Sequence, residues 1–285
     1  MNGFMFQGLA ELRRAKARTA LIIVTVLMIT LMVTFLSSLA AGLQHQSVSA
    51  LQNELSGGKA LVVAGDNLSS SQLSSQQEAD VNAAGGELVH LARTPDAMHI
   101  SRTDGQQPAD LYLEHQPVVW GTPQEVADIP GAATVGVVPA DAGVDGALEG
   151  QDALNTSASY KGEQQSLGLM INLLYVISAL VLGAFFAVWT VQRLRGVAIS
   201  AALGASRSVI ITDAVGQALV VLAIGITFGA AITVLAGTFI SGIPMVVSLC
   251  TVGIPVLILL AAGLLGAALS IRPVLKINPR TALNA

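Results

Sequence analysis

Four stretches of the chain, residues 19–43, 167–191, 209–240 and 244–271, carry almost no charge. Nothing else in the sequence constrains the fold as strongly. About 20 apolar residues in a helix cross a hydrocarbon core of about 30 Å. A backbone in lipid must satisfy its own hydrogen bonds, which a helix does within one segment. Thr19–Ala41 runs for 23 residues without a charge, roughly 34 Å at a rise of about 1.5 Å per residue. A cleaved signal peptide has a shorter apolar region of about 7–15 residues, so this run is read as a retained span. Gly168–Thr190, Val215–Ile240 and Val246–Leu269 follow as spans 2, 3 and 4. The short Ser241-Gly242-Ile243-Pro244 turn predicts that the last two form an antiparallel hairpin. The expected fold is a membrane all-α four-helix transmembrane domain with a small extracellular α+β domain between spans 1 and 2.

Charge assigns the sides. Segments 1–18, 191–214 and 270–285 hold ten of the fourteen Lys and Arg residues, with only Glu11 and Asp213 among the acids. The 42–167 insert holds the other four basic residues and sixteen acids. Basic loops stay on the cytoplasmic side, so both termini are expected inside and the insert outside. Residues 1–18 are read as a cytoplasmic interfacial helix, with Phe4, Met5, Leu9 and Leu12 beside a basic end. Span 1 is 19–41, the extracellular stalk and α+β domain 42–167, and span 2 168–190. A cytoplasmic amphipathic helix takes 191–214, span 3 takes 215–240, span 4 takes 246–269, and a cytoplasmic tail takes 270–285. No Asp, Glu, Lys, Arg or His lies deep in any of these spans. That argues against an ion-coupled carrier and against a charged pore, so the energy input is expected from outside the chain.

Within the insert, Leu43, Val48, Leu51 and Leu55 keep helical spacing until Gly57-Gly58 ends it, which makes a stalk continuing from span 1. Lys59–Val63, Glu87–Leu91, Ala97–Ser101, Ala109–Leu113, Pro117–Gly121 and Ala133–Val138 read as short strands divided by Asp-Gly, Pro and Gly turns. Ser75–Ala84 reads as a helix, and Gly150–Lys161 as a polar lead into span 2. Ser206 or Asp213 is placed to cap the helix that rises into span 3.

No Gly-x-x-x-x-Gly-Lys-Ser/Thr, Gly-x-Ser-x-Gly, His-Glu-x-x-His or Cys-x-x-Cys pattern occurs. Nothing therefore supports ATP binding or catalysis by this chain alone, and no intrinsic cofactor is expected. The one cysteine, Cys250, excludes an intrachain disulfide, and its apolar block predicts a buried, inert thiol. His45, His90, His99 and His115 all fall in the insert, away from metal-ligand spacing, and are read as surface histidines. The insert carboxylates read mostly as a solvated acidic face, and an acidic exterior argues against nucleic acid as a partner.

Three short segments carry a resemblance. Arg13-Arg14-Ala15-Lys16-Ala17-Arg18-Thr19-Ala20-Leu21 forms a basic lead-in to span 1. Arg195-Gly196-Val197-Ala198-Ile199-Ser200-Ala201-Ala202-Leu203-Gly204-Ala205-Ser206 follows span 2, and Asn278-Pro279-Arg280-Thr281-Ala282-Leu283 closes the chain. In this order, around one span, an external domain and three more spans, they resemble the FtsX/MacB-type permeases of ABC transporters. Gly196 and Ala201 stand where that family has an acid and an arginine. The size of the insert is nearer to the haem-exporter permeases (the HrtB type) and the cell-division FtsX proteins than to members that handle macrolides or lipoproteins. The short N-terminal segment favours the haem-exporter type.

The resemblance implies a type VII, MacB-like transmembrane domain in a multi-pass protein of a Gram-positive plasma membrane. It implies a homodimer of the chain in the lipid bilayer, working with two copies of a separate ABC ATPase that binds the ATP. It also implies haem, or a similar amphipathic toxic compound, as the substrate expelled. The alternatives are an FtsX-like regulator that relays ATPase motion to an extracellular hydrolase or sensor, and an exporter of peptides or lipids. The 191–214 segment becomes a coupling helix, with Arg193, Arg195, Gly204, Ala205 and Ser206 facing the ATPase. For haem, pairing Ala41 with about Gly168 across the two stalks places Glu163 near the level of His45 and Gln46, with Lys161 close by and Met170 just below. Glu163 is the expected iron ligand, since it is the one acid within a turn or two of the membrane on span 2 and its oxygen suits ferric iron, a hard ion. His45 is the alternative ligand.

Overall fold

A computed structural model describes residues 16–192, 206–240 and 242–271. The chain divides into two compact units, one of residues 1–39 with 169–285 and the other of residues 40–168.

The first unit is helical. It contains the first part of α1 (Lys16–Glu54), most of α5 (Ala158–Gln192), and α6 (Arg207–Phe239) and α7 (Ile254–Ile271). A short π-turn at Leu249–Gly253, capped by Ser248, leads into α7. Thr19–Glu54, Ala158–Gln192, Ser208–Phe239 and Leu249–Ile271 are each long and apolar enough to cross a membrane. Even the shortest, at 23 residues, reaches about 34 Å. The outward faces stay apolar. Leu21, Val24, Met28 and Met32 on α1 and Leu173, Val176 and Leu180 on α5 are about half exposed or more, a surface suited to lipid and not to water. Cys250 is also exposed, contrary to the buried thiol expected from its apolar block. Its place at the first turn of a lipid-facing helix explains the difference.

Inside this unit Val26, Val33, Leu182, Phe186, Val221, Leu222 and Leu259 form the core. Helices α1 and α6 approach closely at two glycines one turn apart. A Cβ on Gly225 would lie 2.7 Å from the Val26 side chain, and one on Gly229 would lie 2.7 Å from the Leu27 carbonyl oxygen. Small residues at this spacing let two backbones meet. One turn further along, the Thr34 and Thr233 hydroxyls pair at 2.6 Å, fully buried. Other hydroxyls in the apolar helices bond back to their own backbone, as Thr30 does to Val26 and Ser178 to Leu174, so few polar atoms face lipid unpaired.

The second unit is α+β. It holds the later part of α1, then β1 (Lys59–Val62), α2 (Ser75–Ala83), β2 (Glu87–Arg93), β3 (Met98–Ser101), β4 (Tyr112–Leu113), β5 (Gln116–Gly121), α3 (Pro123–Ala127), β6 (Ala133–Pro139), α4 (Gly150–Leu154) and the start of α5. The sheet order is β1-β6-β2-β3-β5-β4. All pairs are antiparallel except β3 with β5. Helices α2 and α3 start with capping boxes at Ser74/Gln77 and Thr122/Glu125, which fix where each begins. The main core joins Val48 and Leu51 of α1 and Tyr160 of α5 to Val89, Leu91, Met98, Ile100, Val135 and Val137 of the sheet. A smaller cluster of Ala60, Val62, Leu73, Val81 and Val138 fills the opposite face. Near the end of α1, Arg102 bridges Glu54 at 3.2 Å and Asp104 at 2.8 Å while stacking over Trp120 at 5.0 Å. The Gln106 backbone amide, helped by the Arg102 guanidinium, holds the Asp104 carboxyl below its usual range.

The α1–α6 contact can be tested by size. Gly229→Leu forces the helices apart and is expected to cost about 1–3 kcal/mol, seen as a lower thermal midpoint of the purified protein in detergent. Gly216→Ala, on the same helix with open space around it, is expected to leave the midpoint unchanged or raised. Equal midpoints for the two variants would show that the close approach contributes nothing.

Candidate functional site

The site is built on a tight turn. Strands β4 and β5 are joined by two residues, Glu114 and His115, with Leu113 paired to Gln116 across the turn. Both carry positive φ, 51° and 65°. A two-residue hairpin of this kind needs φ > 0 at both positions and usually takes Asn-Gly. An ordinary L-residue in this region costs about 1–2 kcal/mol, so the turn depends on contacts elsewhere.

Helix α1 supplies them. The Glu114 amide donates to the Ser47 carbonyl at 3.0 Å, and the His115 amide to the Gln46 carbonyl at 2.9 Å. The Tyr112 amide donates to Ser49 Oγ at 2.8 Å. A carbonyl oxygen has two lone pairs, so a helix can hold its own ladder and still accept a second bond. Asp110, another non-glycine residue at positive φ (60°), meets His45 Nε2 through its carbonyl at 3.2 Å. The His45 ring also packs edge-on against Tyr112 at 5.9 Å. His45, Gln46, Ser47 and Ser49 thus grip residues 110–115 along one length of α1.

The side chains at the turn make the chemistry. Ser47 Oγ donates to Glu163 Oε2 at 2.7 Å, and His115 Nε2 lies 2.5 Å from Glu163 Oε1. Ser47 Oγ is also 3.3 Å from His115 Nε2. Ser47 is fully buried, while the side chains of Glu163 and His115 are 24% and 37% exposed. Glu114 turns the other way and pairs with Arg93 at 3.5 Å. The result is a half-buried carboxylate with a hydroxyl on one oxygen and an imidazole on the other. A carboxylate has about four lone-pair sites, so Glu163 can keep the Ser47 bond and still bind a hard cation.

The expected site residues separate here. The register places Glu163 opposite Ser47, one residue beyond the His45–Gln46 level expected from the sequence. His45 is engaged with Asp110 and Tyr112 instead of Glu163. Lys161 is exposed and lies two positions from Glu163 on α5, a spacing that sends side chains to different faces. Met170 belongs to the other unit and is 55% exposed. Arg193, Arg195, Gly204 and Ala205 fall outside the described residues. Ser206 caps α6 by accepting from the Val209 amide at 3.4 Å, while Asp213 takes a bond from Gln217.

One expectation is corrected: His115 is a partner of Glu163, not a plain surface histidine. Glu54 and Glu114, 12% and 9% exposed, are exceptions to the mostly solvated acidic face, Glu54 paired with the inward Arg102 and Glu114 with the more exposed Arg93. The signal for His115 was the short gap between the segments 109–113 and 117–121, which forces the polar residues between them to a hairpin tip.

Comparison with known proteins bears on what such a chain does. Residues 168–279 match the FtsX-like permease C-terminal family. This part of the chain is similar to FtsX-like permease domains. The chain is also similar to proteins named hemin transport system permease protein HrtB. It is 34% identical over 127 residues to that of Staphylococcus haemolyticus and 32% identical over 127 residues to that of one strain of Staphylococcus epidermidis. Each alignment covers 44% of this chain and 36% of the relative, so the matched part is little more than a third of the relatives' length. A second S. epidermidis strain gives 31% over 133 residues. With four helices long and apolar enough to span a bilayer, the chain is a membrane protein.

The Ser47–Glu163 bond generates a prediction. Ser47→Ala leaves the half-buried carboxylate short of a donor and is expected to cost about 1–3 kcal/mol, read as a lower thermal midpoint. Ser166→Ala, an exposed hydroxyl that bonds only its own helix, is expected within about 0.5 kcal/mol of the parent. Equal shifts in both would remove the Ser47 contact from the argument.

Proposed function

We propose that the chain is the permease subunit of an ABC-type efflux pump that expels haem, or a similar amphipathic compound, from the membrane. Two copies of the chain pair with two copies of a separate ATPase, which binds the ATP. The termini lie in the cytoplasm and the α+β unit outside, in the plasma membrane of a Gram-positive cell, as the charge distribution and the staphylococcal relatives favour. ATPase motion enters through residues 191–214 and is relayed along α1 and α5.

The observation that carries the substrate reading is the Glu163 carboxylate, held by Ser47 and His115. Haem needs one ligand for its iron, an apolar surface for its ring and a polar margin for its propionates. A carboxylate oxygen suits ferric iron. His45, whose Nε2 meets the Asp110 carbonyl, is the alternative ligand. The names of the HrtB relatives support the same substrate.

Ferric haem titration of the purified chain, followed at the Soret band, tests this. Glu163→Gln is expected to weaken binding at least tenfold, and His45→Ala to leave the spectrum unchanged. Unaltered binding by Glu163→Gln would overturn the assignment. The coupling role has its own test. Gly204→Leu is expected to leave the chain in the membrane and the ATPase active but to cut haem export at least tenfold. Full export by that variant would place the coupling surface elsewhere.

A further inference from the structure

Both oxygens of Glu163 are engaged: Ser47 Oγ holds Oε2 and His115 Nε2 meets Oε1. Ser47 is fully buried on α1, out of reach of solvent that could take over its hydroxyl. His115 is 37% exposed at the tip of a hairpin, so of the two it is the partner that can leave for solvent and open the carboxylate to a large metal centre. Its backbone is bound up with the same contact. The amides of Glu114 and His115 hold the turn on the Ser47 and Gln46 carbonyls, and both residues sit at positive φ. Once the ring leaves Glu163, the turn loses the side-chain bond that helps keep this disfavoured conformation in place.

We propose that His115 is the gate of the site. It covers Glu163, and haem binds by displacing the imidazole from the carboxylate, which loosens the Glu114–His115 turn on α1. This rests on the reading of Glu163 as the iron ligand. It adds that occupancy is reported to the rest of the unit, because β5 begins directly after the turn and pairs with β3. His115 acts here as a positioning residue and a competitor for the carboxylate, not as a ligand.

The test uses the full chain in detergent with ferric haem as the probe. His115→Gly removes the ring and suits the positive φ, so the hairpin is retained. It is expected to bind haem at least threefold more tightly than the parent. His115→Asn, which also tolerates this conformation, is expected to change in the same direction. In the parent, haem is expected to raise amide hydrogen exchange in peptides covering residues 112–117, a readout that needs no variant. Equal or weaker binding by both His115 variants, or unchanged exchange in the parent, would overturn the gate. Glu163→Gln separates the two ideas. If it binds haem like the parent, the ligand reading fails. If it loses haem while the His115 variants bind no more tightly, only the gate fails.

Discussion

Lipid offers no hydrogen bonds, and the first unit follows from that. Its backbone is helical because each peptide group finds its partner four residues away. Thr25, Thr30 and Ser178 return their hydroxyls to their own helix, and Thr34 and Thr233 also pair with each other. With polarity settled inside each helix, association depends on how closely the backbones can pack. Gly225 and Gly229 therefore sit where α1 and α6 meet, and the outward faces can remain leucine, valine and methionine.

In the other unit α1 has a different task. There it supplies backbone carbonyls and short hydroxyls to a hairpin that could not hold its shape unaided. Three non-glycine residues at positive φ, Asp110, Glu114 and His115, fall in the six residues that α1 grips. Conformational strain and the candidate site coincide, as is common where a structure holds a group ready for a ligand. The Ser47, Glu163 and His115 cluster brings together residues far apart in sequence, because α1, α5 and the β4–β5 turn converge on it.

The fold was largely readable from residue patterns. Charge-free runs mark the apolar helices, and alternation with Gly, Pro and Asp turns marks all six strands. Strand β4 was drawn too long, because Asp110 takes a positive φ that ends extended backbone there. The site was only half readable. Glu163 stood out by its position on α5, but the pairing of α1 with α5 depends on side-chain packing that periodicity leaves one residue uncertain, and Ser47 took the place expected for His45. His115 is easily passed over because a two-residue turn without glycine or asparagine shows itself only by the short gap between the segments 109–113 and 117–121. Only the tertiary grip of α1 makes it stable.

The sheet's edges also bear on how this unit can meet other molecules. On one side β1 exchanges two backbone bonds with Leu148, through Leu61, at 2.8 Å each. On the other, β4 is two residues long and stitched to α1 through Ser49. An open edge invites strand addition and aggregation, a hazard for domains crowded together in the plane of a membrane. With both margins blunted, recognition by this unit falls to side chains on its faces and turns, and its partners are selected by shape and charge instead of by backbone pairing.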